Sequence, residues 1–467
     1  MIIKNYKQIH DSIHGYIKIS NLACKIIDTP EFQRLRYLHQ LGTCHYIFPN
    51  ATHTRFEHSV GTYHLAHQLL ENIKENSNPI ELNRCLNKIP ELSNYYIRKY
   101  GDDAHHKLDD YVCELIKIAA LCHDLGHGPF SHVFDDEFIP SMREHYKKEA
   151  NLMEKHELRS CLILEKIINS NIELSKMIHK NDIKFIKTLI YSNHKHKGFV
   201  YQIISNNLNS IDVDKFDYIT RDTYTLGQKF GFDHSRLIND AIVINNIICY
   251  PKQTYYEIAN LFKTRYRLHK QIYSHKIVIA IQFMINEMMT LIEPIVKLYN
   301  SIFHIDNFCK LTDDYVLTII KFLHQTLDNY SETNQKRINE AYRIWLKINK
   351  RDIHRFIGTI ISDKPINIKS SLIYHIDPNI DKDEVLTYKS KIGFVSGTTS
   401  NPLEDLYFYD NKDATKCFKI NKEEVTFLIP NTFQEYIYMI FAKDRDDYKL
   451  IDKLTKVFNI LEDKIKN

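Results

Sequence analysis

No stretch of this 467-residue sequence approaches about 18 uninterrupted apolar residues, so no membrane-crossing helix is expected. The opening MIIKNYKQIHDSIHGY lacks the continuous apolar run of a secretory leader; charged and polar side chains break it throughout. The nine cysteines, scattered from Cys24 to Cys417, include no CxxC pair. That excludes a zinc finger and points to reduced thiols in the cytoplasm or nucleus rather than a secreted protein. A strong charge of one sign is also missing: 62 basic against 58 acidic side chains leave a formal +4. So weak an excess gives no global argument for nucleic acid and leaves only a local basic pocket open. There is no internal repeat, and no low-complexity segment beyond a Lys/Asn/Ile bias.

What is present is an ordinary globular balance, 43% hydrophobic and 26% charged, long enough for two domains or for one with a sizeable appendage. Helical spacing dominates. Over 52–72, Phe56, Val60, Tyr63, His67 and Leu70 share one side while Leu65 and Leu69 lie opposite with His58 and Gly61. A helix apolar on two faces is packed inside the protein. Further helices are expected over 111–122, 155–170, 182–192, 198–208, 255–298 and 313–328. Residues 72–110, polar and poorly periodic, read as an exposed insertion. From about 370 to 430 the segments SLIYHI, IGFVSG, LYFYD and CFKI read as short strands, with final helices at 431–443 and near 447–465. The expected fold is mainly α: a helical core over 1–300, then a smaller α+β lobe over 301–467.

Residues 121–132, LCHDLGHGPFSH, crowd three histidines and an aspartate behind a run that reads as a buried helix. Neutral imidazole and ionised carboxylate are ordinary ligands for a divalent ion and are expensive to bury without one. His123 and Asp124, as neighbours, point about 100° apart on a helix, so they need a helix terminus and further ligands from elsewhere. His58, beside Gly61 where a bulky ligand could approach the backbone, is one source. NSIDVDKFDYITRD supplies Asp212, Asp214, Asp217 and Asp222.

FQRLRYLHQLG (32–42), FPNATHTRFEHSVG (48–61), IAALCHDLGHGPFSHVFD (118–135), IDVDKFDYITRD (211–222) and HKQIYSHK (269–276) occur in that order. Together they resemble the HD-domain deoxynucleoside triphosphate triphosphohydrolases, strongly from about residue 7 to 290 and more weakly to about 445. The likeness is greatest to members that also carry a sterile alpha motif, a module expected to be absent here. The resemblance implies a metal (iron, manganese, magnesium or zinc) on His58, His123, Asp124 and Asp214, and cleavage of a dNTP to deoxynucleoside and triphosphate. It implies a catalytic set of His127, His132, Asp135 and His156, with His132 at the leaving group. Arg55, Lys215 and Arg265 would meet the phosphates. Asp222 and Gln40 would accept the sugar 3′-hydroxyl, Tyr218 and Leu41 would crowd the 2′ position, and Tyr273 would pack near sugar and base.

The same resemblance implies activation by GTP or dNTP bound between subunits of a dimer or tetramer, with the 301–467 lobe taking part in assembly. Lys7, Asp28, Gln33, Arg36 and Arg236 would hold the activator. Without the family, Asp28 reads equally as the cap of a helix beginning at Pro30. The pattern departs at His10 and at Pro251 and Gln253, while Lys416 and Lys419 stand in for C-terminal basic residues. Two rival functions stay open: an HD phosphohydrolase of another nucleotide, and a non-catalytic protein binding nucleotides or, weakly, single-stranded nucleic acid. GFVSGTT lacks the lysine and helix of a phosphate loop and reads as a turn.

Overall fold

A computed structural model describes residues 6–101, 106–193, 195–394, 401–420 and 432–466. Its centre is the Arg55–Asn76 helix, started by a capping box between Thr54 and Glu57. Phe56, Val60, Tyr63, Leu65, Leu69 and Leu70 are all buried, so both faces are covered as the spacing requires. Against it pack the Asp110–Cys122 and Val213–Thr225 helices. From Val112 to Cys122 every residue of the first is buried. It is begun by Asp109, whose carboxylate accepts from the N–H groups of Tyr111 and Val112. A hairpin, Tyr6–Asp11 against Gly15–Ser20, lies on the same core and turns at Gly15, whose φ is +69°.

The fold is mainly helical around this core, with the smaller sheets concentrated toward the C-terminal region. Strands Arg355–Ser362, Gln434–Ala442 and Val385–Gly393 form an antiparallel sheet with 434–442 in the middle. Along that central strand Tyr438, Ile440 and Ala442 join one apolar cluster, with Leu450, Leu454 and Val457 of the Tyr448–Lys466 helix. Ile437, Met439 and Phe441 join another, with Ile279 and Ala280 of the Lys276–Val296 helix. The helix expected at 431–443 is therefore a strand. An apolar run buried on both faces reads the same as a buried helix, and only the two-residue alternation of its neighbours decides. Residues 408–410 and 413–418 pair beside strands Ile242–Ile244 and Ile247–Pro251, making a four-stranded sheet that reaches back to the core.

Other expectations change in detail. SLIYHI lies in a helix, Ser370–Ile376. Only one short turn, Phe199–Gln202, is helical in 198–208. Within the polar 72–110 segment, read as an exposed insertion, the described residues complete the long helix and add helices Pro79–Leu86 and Pro90–Tyr100. The second of these packs on Lys180–Ile190, burying Leu92 and Tyr96. Its charged side chains mostly face solvent, and Leu92, Tyr95 and Tyr96 at helical spacing suffice to dock it. Val316, Ile320, Ile338 and Ala341, beyond residue 300, belong to the main core cluster. The 255–298 helix is broken by a π-helical turn, His269–Tyr273. Lys276–Val296 is long and apolar enough to cross a membrane, unlike the reading from uninterrupted runs. Here Met284, Met288 and Ile292 bury one face and the Glu332–Asn349 helix covers it. The turn expected at GFVSGTT falls mostly outside the described residues.

Leu454 is fully buried between the C-terminal helix and the three-stranded sheet. Leu454→Ala is expected to cost about 2–5 kcal/mol in equilibrium denaturation, with metal binding at the distant core unchanged.

Candidate active site

Two imidazole nitrogens and two carboxylates converge at the end of the buried Asp110–Cys122 helix. Nε2 of His58 stands 3.2 Å from Asp214 Oδ1 and 3.6 Å from Asp124 Oδ2. Nε2 of His123 stands 3.3 Å from Asp124 Oδ1 and 3.5 Å from Asp214 Oδ1. The opposite ring nitrogens are committed. Nδ1 of His58 meets Asp217 Oδ2 at 2.8 Å, and Nδ1 of His123 meets the carbonyl of Ala120 at 2.7 Å. Those acceptors require N–H at Nδ1, which leaves both Nε2 lone pairs facing the carboxylates. Both Nε2 atoms are buried without a hydrogen-bond partner. Lone pair against carboxylate is repulsive unless a cation lies between. Ligand atoms about 3–3.5 Å apart are the spacing expected of donors each about 2.1 Å from one ion. The residues fit a divalent metal.

The electrostatics agree. Burial opposes charge on His58, yet Asp214, Asp217 and Asp124 outweigh it and push its pKa up to about 10. Burial likewise opposes charge on His123, and Asp124 with Asp214 raises it. Burial alone would raise Asp124 and Asp214; facing cations and imidazoles hold both well below the usual carboxylate range.

His58 is held from behind by Asp217, which sequence spacing offered only as one of four aspartates. A Cβ on Gly61 would sit 1.9 Å from Asp217 Oδ1. What approaches the helix backbone at Gly61 is thus this carboxylate, not a ligand. The glycines of the 121–132 stretch serve close approach in the same way. A Cβ on Gly126 would strike the backbone of His156, and one on Gly128 the ring of Phe134. The turn itself is made by Phe130 and Ser131, with φ of 57° and 55°. Asp313, far outside the motifs, stabilises that conformation. Its carboxylate accepts from the N–H of Phe130 at 2.6 Å and from His39 N and Nδ1 at 3.0 and 2.8 Å.

Beside the cage lies the second set. Asp135 accepts from His127 Nδ1 at 2.7 Å and from Arg159, and His156 stacks on His127 with ring centroids 3.9 Å apart. Nε2 of His127 is 3.4 Å from Asp124 Oδ1, so the two sets are continuous. Burial and the neighbouring His127 push the pKa of His156 well down. Burial would raise Asp135, but Arg159 and His127 lower it. Arg159 is completely buried and was missed in the sequence, because nothing in HELRS separates it from a surface helix arginine. His132 differs: it is exposed, its ring 5.6 Å from that of His127, with Nδ1 on Asp136 Oδ2 at 2.8 Å.

The remaining expected residues are tied into the segments around the cage by hydrogen bonds or lie next to them in the chain. Arg55 is buried, with Nη1 on Asp124 Oδ2 at 2.5 Å and Nε on Ser131 at 3.0 Å. Lys215 bonds Asp212, the cap of its own helix, at 3.1 Å. Arg265 donates to the Tyr218 hydroxyl at 3.2 Å and to the Gly393 carbonyl at 2.6 Å. Asp214, Tyr218 and Asp222 share one face of the Val213–Thr225 helix, as their spacing of four requires. Asp222 accepts from His53 Nε2 at 2.7 Å and from the Tyr273 hydroxyl. Gln40 Oε1 is buried without a partner, and Leu41 is half-buried beside it. His53 and His269 stood within quoted motifs but carried no assigned role.

At the other candidate site Lys7 and Asp28 pair at 3.1 Å, both exposed. Gln33 Nε2 bonds the Ile27 carbonyl at 2.8 Å, and Arg36 bonds Gln33 Oε1 at 2.8 Å while covering the Phe56 ring. Thr29, not Asp28, caps the helix at Pro30. Arg236 stands on another element and pairs with Glu257 at 3.1 Å. Lys419 pairs with Asp405.

The HD-domain family model matches residues 55–222, the span from Arg55 to Asp222. A putative HD domain-containing protein, L394, of Acanthamoeba polyphaga mimivirus is 39% identical over 97% of this chain and 95% of its own. The deoxynucleoside triphosphate triphosphohydrolase SAMHD1 homolog of Dictyostelium discoideum is 33% identical over 98% of the chain and 82% of its own. The deoxynucleoside triphosphate triphosphohydrolase SAMHD1 of Gallus gallus is 33% identical over 94% and 72%.

If the cage holds an ion, added Mn2+ should raise the melting temperature of the wild-type chain. Asp214→Asn should lose that rise and retain less than one tenth of the bound Mn2+, measured by elemental analysis after dialysis.

Proposed function

The chain belongs to the family of SAMHD1-like HD-domain deoxynucleoside triphosphate triphosphohydrolases, and from that premise we propose that it cuts dNTPs into deoxynucleoside and inorganic triphosphate. The observation that carries this reading is the pair of partnerless Nε2 atoms facing Asp124 and Asp214, with Arg55 and Lys215 beside them. Two nitrogen and two oxygen donors favour iron, manganese or zinc over magnesium, which prefers oxygen alone. Such an ion, when bound, neutralises phosphate charge and acidifies water.

The chain's own groups divide the rest of the work. His127, its Nδ1–H tied to Asp135, offers Nε2 as the acceptor for a proton leaving water beside Asp124. Asp135, held by Arg159, then stabilises the imidazolium. His132, oriented by Asp136, gives a proton from Nε2 to the departing 5′ oxygen. Arg265 and Lys215 balance the triphosphate charge. The free Oε1 of Gln40 takes the sugar 3′-hydroxyl together with Asp222, while Tyr218 and Leu41 leave no room for a hydrated 2′-hydroxyl. Tyr273 closes the sugar side, its hydroxyl on Asp222.

The proposal extends to regulation. The Lys7–Asp28 and Gln33–Arg36 pairs offer a cation, a carboxylate and a guanidinium over an aromatic ring, which suits a guanine nucleotide. GTP or dNTP bound there, with Arg236 contributing from its own element, would favour assembly into dimers or tetramers. Nine free thiols support a working place in a reducing compartment, cytoplasm or nucleus.

Incubating the Mn2+-loaded chain with each dNTP, with and without GTP, and separating the products should yield inorganic triphosphate and deoxynucleoside. Pyrophosphate or monophosphate in their place would instead indicate a different HD phosphohydrolase. Light scattering in the same mixtures should show a larger assembly when GTP is present. His132→Gln should lower kcat by about 10²–10⁴ while KM moves only a few-fold.

A further inference from the structure

The N-terminal hairpin lies wholly before the 55–222 HD-domain span, yet its tip reaches the support of a metal-site histidine. Asp217 is completely buried and accepts four hydrogen bonds, two on each oxygen. Oδ2 receives Nδ1 of His58 and Nε of Arg221, both at 2.8 Å. Oδ1 receives Nε2 of His14 at 2.7 Å and Nη2 of Arg221 at 2.9 Å. Asp11 closes the circuit. Its Oδ2 takes Nη1 of Arg221 at 2.8 Å, and its Oδ1 takes the backbone N–H groups of Ile13 and His14, each at 2.9 Å. The side chains of Asp11, His14, Asp217 and Arg221 are all at most 5% exposed.

Such a network is more than fold stability requires. A buried Asp217–Arg221 pair would be satisfied on one edge by its two parallel bonds. The remaining lone pair on Oδ2 points at His58, and the one on Oδ1 is taken by His14, so the carboxylate has no orientation left to choose. A carboxylate behind a metal-ligating histidine fixes its tautomer and direction, and its loss typically weakens metal binding about 10–100-fold. A Cβ at position 61 would lie 1.9 Å from Asp217 Oδ1, so it is the glycine that admits the carboxylate at this place.

We propose that the hairpin tip, through His14 and Asp11, is a positioning element for the metal centre: it locks Asp217, and Asp217 aims Nε2 of His58 at the ion. The inference rests on the metal reading above. It assigns a role in that site to residues outside the HD domain, and it ties the strand that carries Lys7 to the same support.

The test uses the full chain and Mn2+ alone, with free ion read by electron paramagnetic resonance and folding by circular dichroism. His14→Ala should bind Mn2+ about 10–100-fold more weakly with the fold intact. His14→Gln, whose amide can donate from nearly the same place, should return to within about threefold of wild type. His64→Ala, removing a ring 5.3 Å from that of His14, should bind as wild type. Equal affinity in His14→Ala and wild type overturns the inference alone, as does a His14→Gln no better than His14→Ala or an equal loss in His64→Ala. Should His14→Ala fail to fold, Asp11→Asn decides: weaker binding supports the role and wild-type affinity overturns it. A wild-type chain that holds no Mn2+ overturns the metal reading and this inference with it.

Discussion

Lone pairs of two imidazoles, aimed at two carboxylates in a buried site, are tolerable only around a positive charge. Each other feature of the core follows from keeping that arrangement in place. The Asp110–Cys122 helix is buried along its length so that His123 and Asp124 emerge at a fixed end. The Arg55–Asn76 helix is covered on two faces because it carries His58 inward on one and packs apolar residues on the other. Asp214 arrives on a third helix whose cap, Asp212, is itself tied to Lys215.

Order around the cage is maintained by charge rather than by packing alone. Asp217, Arg221 and Asp11 on one side, and Asp135 with Arg159 on the other, are buried ion pairs that add little stability in themselves. Their worth is directional: each fixes a histidine's tautomer, His58 in the first case and His127 in the second. Arg34 completes the frame, donating to the carbonyls of Leu125, His127 and Leu311. Carbonyls on both sides of the 125–127 turn are thereby bound to one guanidinium from another segment, and Asp313 holds the strained 130–131 bend that follows.

Much of this was legible in residue order. The spacing of Asp214, Tyr218 and Asp222 required one helical face, and the 111–122 run required a buried helix. Ligand chemistry narrowed the candidates for the cage to His58, the 123–124 pair and the four aspartates of 212–222, and the family resemblance singled out Asp214 among these. Less was legible where chemistry is silent. Arg159, Arg34 and Asp313 look like surface charges in sequence, since their partners are backbone groups or residues up to 277 positions away. The strand at 434–442 looked helical because its apolar run is covered on both sides, which removes the alternation that marks an exposed sheet.

By itself the sequence limited the residues that can hold an ion to a few histidines and aspartates, and showed that most of the chain is helical, because ligand chemistry and hydrophobic period are local properties. Residue chemistry left the two neighbouring aspartates equal and the family resemblance singled out Asp214; only the tertiary structure shows which of them faces the cage and which stands behind His58. Asp214 and Asp217 are three residues apart and chemically identical; one faces two Nε2 atoms and the other faces Arg221, His14 and the back of His58. That division depends on partners brought from the hairpin and from two other helices, and no local pattern encodes their arrival.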